Sequence, residues 1–175
     1  MASRKIRVLF DAQTIARRNA SLVEEIKARK LENLLVVAVL KGSFVFAADL
    51  LRAMYAAGVS PNVEFVHLSS YRDSTVSSGA VTILHDIESD VRGRDVLLVD
   101  DILESGRTLA FAKDLLAARG ARQVLTCVLL EKPGKRAVNI NADFVGFSCP
   151  DLFVVGYGMD VAHSYRELPF VGVVE

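Results

Sequence analysis

Tryptophan is absent from this 175-residue chain, and cysteine, methionine and proline are scarce, at two, three and four residues. Cys127 and Cys149 show no CxxC spacing and have no histidine near them in sequence, so they read as two buried free thiols rather than a disulfide or a metal pair. No apolar run approaches the roughly 18 residues of a membrane span. The basic N-terminus leads only into Ile6-Arg7-Val8-Leu9-Phe10, too short for the core of a secretion signal. The expectation is a cytoplasmic protein with no membrane partner. Charge of one sign is also missing: 21 Lys and Arg balance 21 Asp and Glu. Long nucleic acids need a basic field, so a nucleic-acid partner is not expected. Small anionic ligands need only local positive groups and fit the composition. Repeats, linkers and low-complexity tracts are lacking too, which suits a single domain over residues 1–175.

What the chain does have is apolar substance, 51% of residues, ample for a core. Asp11 to Lys30 carries Ile15, Leu22, Val23 and Ile26 at helical spacing, with Asp11 placed to cap the start. Leu34 to Leu40 is a continuous apolar run of strand length, as in buried parallel strands. Phe44 to Ala57 reads as a helix stopped by Gly58 and Pro61. Val63 to Leu68, Val81 to Leu84, Asp95 to Val99, Gln123 to Leu130, Phe144 to Phe147 and Phe153 to Gly156 read as further strands. Leu109 to Arg119 reads as a helix, and the Ser-rich stretch from Ser69 to Gly79 as a long mobile loop. Strands alternating with helices predict an α/β fold, a twisted, mostly parallel sheet with helices on both faces. Ligands bind such sheets beyond the carboxyl ends of the strands. Lys41, Asp100-Asp101, Glu131-Lys132 and Asp160 each fall just after a predicted strand.

The most informative stretch is Val96 to Leu109. A buried strand ends in paired carboxylates, Asp100 and Asp101. A short loop with Glu104, Ser105, Gly106, Arg107 and Thr108 then enters a helix. Amides at a helix start are unpaired and favour an anion, and Gly106 permits close approach. The loop has neither the GxxxxGK[ST] nor the GxGxxG pattern. Two carboxylates suit vicinal hydroxyls or water-bound Mg²⁺ rather than phosphate. A diol beside a monophosphate describes ribose 5-phosphate. A plain helix cap and tight turn is the bland alternative.

These residues resemble the phosphoribosyl-pyrophosphate signature of the type I phosphoribosyltransferases, and the rest of the chain resembles the hypoxanthine (hypoxanthine-guanine) branch of that family. Five segments agree in order, from about Val8 to the C-terminus. The resemblance implies a core sheet, a small hood from the N- and C-terminal segments, and a flexible lid over about residues 69–80. It implies purine salvage: Mg²⁺-dependent transfer of phosphoribose from phosphoribosyl pyrophosphate to N9 of a 6-oxopurine base, in a homodimer or homotetramer. Leu40-Lys41-Gly42-Ser43 resembles the pyrophosphate loop, with a non-proline cis peptide before the turn. Ser70 and Tyr71 resemble the start of the lid. Asp100 and Asp101 would hold the ribose hydroxyls, and the 104–108 loop the 5′-phosphate. Lys132 matches the lysine that donates to the purine 6-oxo group, Phe153 the ring that stacks on the base, and Val154 the backbone at its edge. Asp160 matches a carboxylate on Mg²⁺, with Asp100 and Asp101 also near metal. Arg166 matches an arginine on pyrophosphate. The chain departs from the common pattern twice. Asp100-Asp101 stands where many relatives have Glu-Asp. Glu104 stands where they have the aspartate that exchanges a proton with purine N7. Three rival readings stay in view: another acceptor base on the same fold, an RNA-binding regulator, and a phospho-acceptor signalling domain.

Overall fold

In the computed structural model, residues 5–70 and 80–175 are described. Six strands form the main sheet: β2 (Leu35–Leu40), β3 (Asn62–Ser70), β4 (Val81–His85), β5 (Asp95–Leu103), β6 (Gln123–Glu131) and β7 (Phe144–Ser148). Their order is β4-β3-β2-β5-β6-β7. Every pairing is parallel except β3 with β4. The continuous apolar runs are the cause: a strand covered on both faces has no use for alternation. In β5, Val96, Leu97, Leu98 and Val99 are wholly buried.

Two helices, α1 (Ala12–Ala28) and α2 (Phe44–Ala56), cover one face, and α3 (Arg107–Ala118) covers the other. Asp11 caps α1 as expected, its Oδ1 accepting from the Thr14 amide at 2.7 Å. Ile15, Leu22, Val23 and Ile26 are buried in the core beneath it. None of the described helices is long and apolar enough to cross a membrane. Both cysteines are free and buried.

A second sheet has three antiparallel strands: β1 (Ile6–Phe10), β9 (Val171–Val174) and β8 (Val154–Val155). It joins the two chain ends. Phe10 stacks on Phe147 of β7, ring centroids 4.2 Å apart, which seats this sheet on the main one. β9 has no counterpart among the strands read from periodicity, because a four-residue apolar run is too short to declare itself.

Three boundaries shift in ways that matter for the cleft. β5 continues to Leu103, so Asp100 and Asp101 belong to the strand rather than following it. The reason is β6, which runs alongside and pairs Asp100 with Val128 and Leu103 with Glu131. β3 likewise runs through Ser69 and Ser70, paired with β4, so these serines end a strand instead of opening a loop. α3 starts at Arg107, two residues earlier than periodicity indicates, because Gly106 (φ 82°) turns the chain into it.

Candidate active site

A cleft of about 1180 Å³ opens at the carboxyl ends of β2, β3, β5 and β6. Lys41 and Gly42 follow β2, Ser70 ends β3, Asp100 to Thr108 run from the end of β5 into α3, and Lys132 follows β6. Phe153 and Val154 of the small sheet, with Asp160 and Arg166 beyond it, close the opposite wall. All the residues selected from the sequence line this one cleft, except Tyr71, which lies outside the described residues.

The 104–108 loop is tied down through its carbonyls. The Ser105 carbonyl accepts from the amides of Ala137 (2.8 Å) and Val138 (3.4 Å), and the Glu104 carbonyl accepts from Arg136 Nη1 (2.7 Å). The amides are left over. Those of Ser105, Gly106 and Thr108 donate to no acceptor among the described residues, and that of Arg107 reaches only Ser105 Oγ at 3.4 Å. A row of free amides at the start of a helix, under its positive end, is a site for an oxyanion. Gly106 is required twice over. Its φ is in the left-handed region, and a Cβ there would come within 2.5 Å of Ile140 Cγ2.

Asp100 and Asp101 sit at the cleft floor. The Asp101 amide donates to Asp100 Oδ1 (2.9 Å), and the Ile102 amide to Asp101 Oδ1 (2.7 Å). Burial pushes both carboxyls above the ordinary aspartate range, and Asp100 furthest, since the Asp101 carboxylate adds like-charge repulsion. Arg166 pulls Asp101 down, but burial outweighs it. Gly42 packs against this pair so closely that a Cβ on it would overlap the Asp101 carboxylate. The Leu40–Lys41 peptide bond is cis.

At the far end Lys132 is 7% exposed, which rules out a solvated surface lysine. Its Nζ lies 3.9 Å from Glu104 Oε1, and Lys135 Nζ lies 3.8 Å from the same oxygen. Phe153 is 56% exposed, a large ring uncovered beside polar groups rather than a core residue. Across the cleft, Arg166 Nη2 pairs with Asp160 Oδ1 at 3.1 Å, and its Nη1 donates to the Gly158 carbonyl at 2.6 Å. Asp160 also accepts from the His163 amide (2.8 Å).

This arrangement invites comparison with known proteins. A model of the phosphoribosyl transferase domain matches residues 7–162. The hypoxanthine phosphoribosyltransferase of Escherichia coli K12 is 41% identical over 172 residues, 97% of this chain and 95% of that protein. This chain belongs to the hypoxanthine phosphoribosyltransferase family. The hypoxanthine-guanine phosphoribosyltransferase of Bacillus subtilis is 41% identical over 170 residues, 97% of this chain and 93% of that one. The Trypanosoma cruzi hypoxanthine phosphoribosyltransferase, solved with the product IMP, superposes with a TM-score of 0.90 at 34% identity, covering 100% of this chain and 96% of that one.

Periodicity and motif did not find several residues at or behind the cleft of this hypoxanthine phosphoribosyltransferase family member. Arg136 bridges Glu131 Oε1 (2.8 Å) and the Glu104 carbonyl, joining the end of β6 to the anion loop. Lys135 pairs with Asp151 at 2.8 Å beside Glu104. Val138 and Ile140 press on Gly106. A signal for the first two is present: Lys132, Lys135 and Arg136 form a basic cluster directly after a strand, where such sheets bind ligands. Nothing in sequence spacing marks Val138 or Ile140.

Proposed function

We propose that this cleft transfers a 5-phosphoribosyl group from phosphoribosyl pyrophosphate to N9 of hypoxanthine, and of guanine, releasing IMP or GMP and pyrophosphate in purine salvage. The observation that carries this reading is the set of unpaired amides at Ser105, Gly106 and Thr108, directly beyond the Asp100-Asp101 pair on the cleft floor. Together they suit a phosphorylated sugar, with oxyanion and diol side by side.

In this reading Ser105, Gly106, Arg107 and Thr108 receive the 5′-phosphate. Asp100 and Asp101 accept from the ribose hydroxyls. Their negative charge lies where the ribose ring turns cationic as the bond from C1 to pyrophosphate breaks. Lys41, Gly42 and Arg166 hold the pyrophosphate, the guanidinium fork matching phosphate oxygens. Lys132 donates to the 6-oxo group and so selects against a 6-amino group, itself a donor. Phe153 stacks on the ring, and the backbone of Val154 meets its edge. Glu104, between Lys132 and Lys135, exchanges a proton with N7 and raises the nucleophilicity of N9. Ser70, at the end of β3, borders the centre and helps exclude water, which would otherwise capture the ribosyl cation.

The donor set also fits Mg²⁺. Among the described residues no three His, Cys, Asp or Glu side chains converge to hold a metal by themselves. Burial raises both carboxyls, with the neighbouring Asp101 charge adding to the rise at Asp100, and a cation at the pair would offset that cost. Asp100, Asp101 and Asp160 would hold it. Held there, Mg²⁺ would supply positive charge that lowers the basicity of pyrophosphate. We place the enzyme in the cytoplasm as a homodimer or homotetramer. The test is an ultraviolet assay of nucleotide formation from hypoxanthine, guanine and xanthine, with and without Mg²⁺. Absence of IMP formation would refute the reading.

A further inference from the structure

Behind the pyrophosphate wall lies a polar network, buried at Asn19 and Tyr157 and reaching the surface at Asp49, where Arg52 pairs with it at 3.0 Å, that the chemistry above does not use. Tyr157 is 4% exposed and holds a left-handed φ of 49°, disfavoured for a side chain of its size. Its hydroxyl donates to Asp49 Oδ2 of α2 at 2.5 Å and accepts from Asn19 Nδ2 of α1 at 3.0 Å. Asn19 is 3% exposed, and its Oδ1 has no partner among the described residues. The fold thus tolerates an orphaned buried acceptor while giving the hydroxyl a donor, and such groups are unfavourable unless the arrangement is needed. Burial and the nearby Asp49 carboxylate keep the Tyr157 proton in place, so the hydroxyl remains a donor.

The next residue shows what the anchor holds. The Gly158 amide donates to the Arg166 carbonyl (3.0 Å), and the Gly158 carbonyl accepts from Arg166 Nη1 (2.6 Å). On its other side, a Cβ on Gly158 would come within 2.6 Å of the Gly42 carbonyl. The Gly158 backbone is therefore wedged between Arg166 and the Lys41-Gly42 turn.

We infer that the Tyr157 hydroxyl, tethered between Asn19 and Asp49, is a positioning group that sets Arg166 and the Lys41-Gly42 turn for pyrophosphate. The inference rests on the pyrophosphate role proposed above. None of Asn19, Asp49 or Tyr157 lines the cleft, so the effect must travel through the Gly156-Tyr157-Gly158 backbone.

Calorimetry with inorganic pyrophosphate and Mg²⁺, and separately with IMP, tests it on the intact chain. Tyr157→Phe keeps the ring and removes the tether; it should weaken pyrophosphate about three- to tenfold, the worth of one hydrogen bond. Asp49→Ala should act in the same direction from a helix surface, and it carries the test if Tyr157→Phe does not fold. Asp49→Asn retains an acceptor and should restore near wild-type affinity. IMP affinity should stay within about twofold throughout. Unchanged pyrophosphate affinity in both disruptive variants overturns the inference, as does an equal loss for IMP. Selective loss of pyrophosphate in a protein that forms no IMP would uphold the tether and refute the proposed reaction. A wild-type chain that binds no pyrophosphate would overturn both.

Discussion

Replacing Asp100 with asparagine should make the protein more stable and less active. Asp100 is 7% exposed, and burial together with Asp101 raises its carboxyl well above the ordinary range. The sign of the pH effect follows from that direction. In the unfolded chain Asp100 ionises near pH 4. The folded protein resists this ionisation, so wild-type stability falls as pH rises from about 4 toward the folded value. Asparagine does not titrate. It keeps an acceptor for the Asp101 amide, now 2.9 Å from Asp100 Oδ1, and adds a donor for the Asp101 carboxylate. The gain should be near zero at about pH 4 and grow to about 2 kcal/mol at neutral pH, the scale of a poorly compensated buried polar group. For a chain of this size that is roughly 4–8 °C in Tm. Calorimetric melts of apo wild type and Asp100→Asn across pH 4–8 would measure it, beside affinity for phosphoribosyl pyrophosphate, which should fall. A gain independent of pH would refute the argument, because it would come from packing rather than from the buried charge. A loss of stability at neutral pH would refute it outright.

Other substitutions separate the parts of the cleft. Gly42→Ala forces a methyl onto the Asp101 carboxylate, so turnover should drop by on the order of 100-fold as the turn shifts; near-normal turnover would show that the turn has room to move. Glu104→Gln should lower kcat by about 10²- to 10⁴-fold while IMP affinity is nearly kept; equal losses in both would remove Glu104 as the proton-transfer group. Lys132→Ala should raise KM for hypoxanthine by about 10- to 100-fold with little change for phosphoribosyl pyrophosphate, as expected for loss of one charged hydrogen bond. A matching loss for both substrates would mean that Lys132 acts on the whole site.

Much of this molecule is readable along the chain because its central strands are buried on both faces. Runs such as Leu35–Leu40 and Val96–Val99 have no amphipathic alternative, so strand, parallel sheet and flanking helices follow from composition alone. The anion loop is legible for a different reason: its requirements are local. A helix start, a glycine with positive φ and small hydroxyl residues all occur within five positions. What escapes sequence is whatever depends on a distant partner. The length of β5 is set by β6, not by its own residues, so a strand-end carboxylate pair proves to lie inside the ladder. The bracing of the anion loop comes from some thirty positions away, from the Arg136 guanidinium and from the Ala137 and Val138 amides, whose main-chain bonds carry no side-chain signature. Tyr157 offers only an apolar context in sequence. Its hydroxyl matters because Asn19 and Asp49 meet it from two helices.

The pairing of β5 with β6 bears on specificity as well as stability. Leu103 lies opposite Glu131, and the Lys132 amide donates to the Leu103 carbonyl at 2.9 Å. The 104–108 loop leaves β5 at Glu104, and Lys132 follows the end of β6, so both start from one rung of the same ladder. In the proposed reaction, strand register would set the span between a phosphate on the loop amides and an oxo group on Lys132. Register in a strand covered on both faces is hard to slip, because one step moves every side chain to the opposite face. Cys127, Val128 and Leu129 have no exposed surface and alternate between the two packed faces, so a slip would exchange their packing environments at once. Arg136 ties the same two ends a second time, from Glu131 to the Glu104 carbonyl. On the proposed residue roles, such a ruler would set the distance from phosphate to base and make nucleotide length a property of the core.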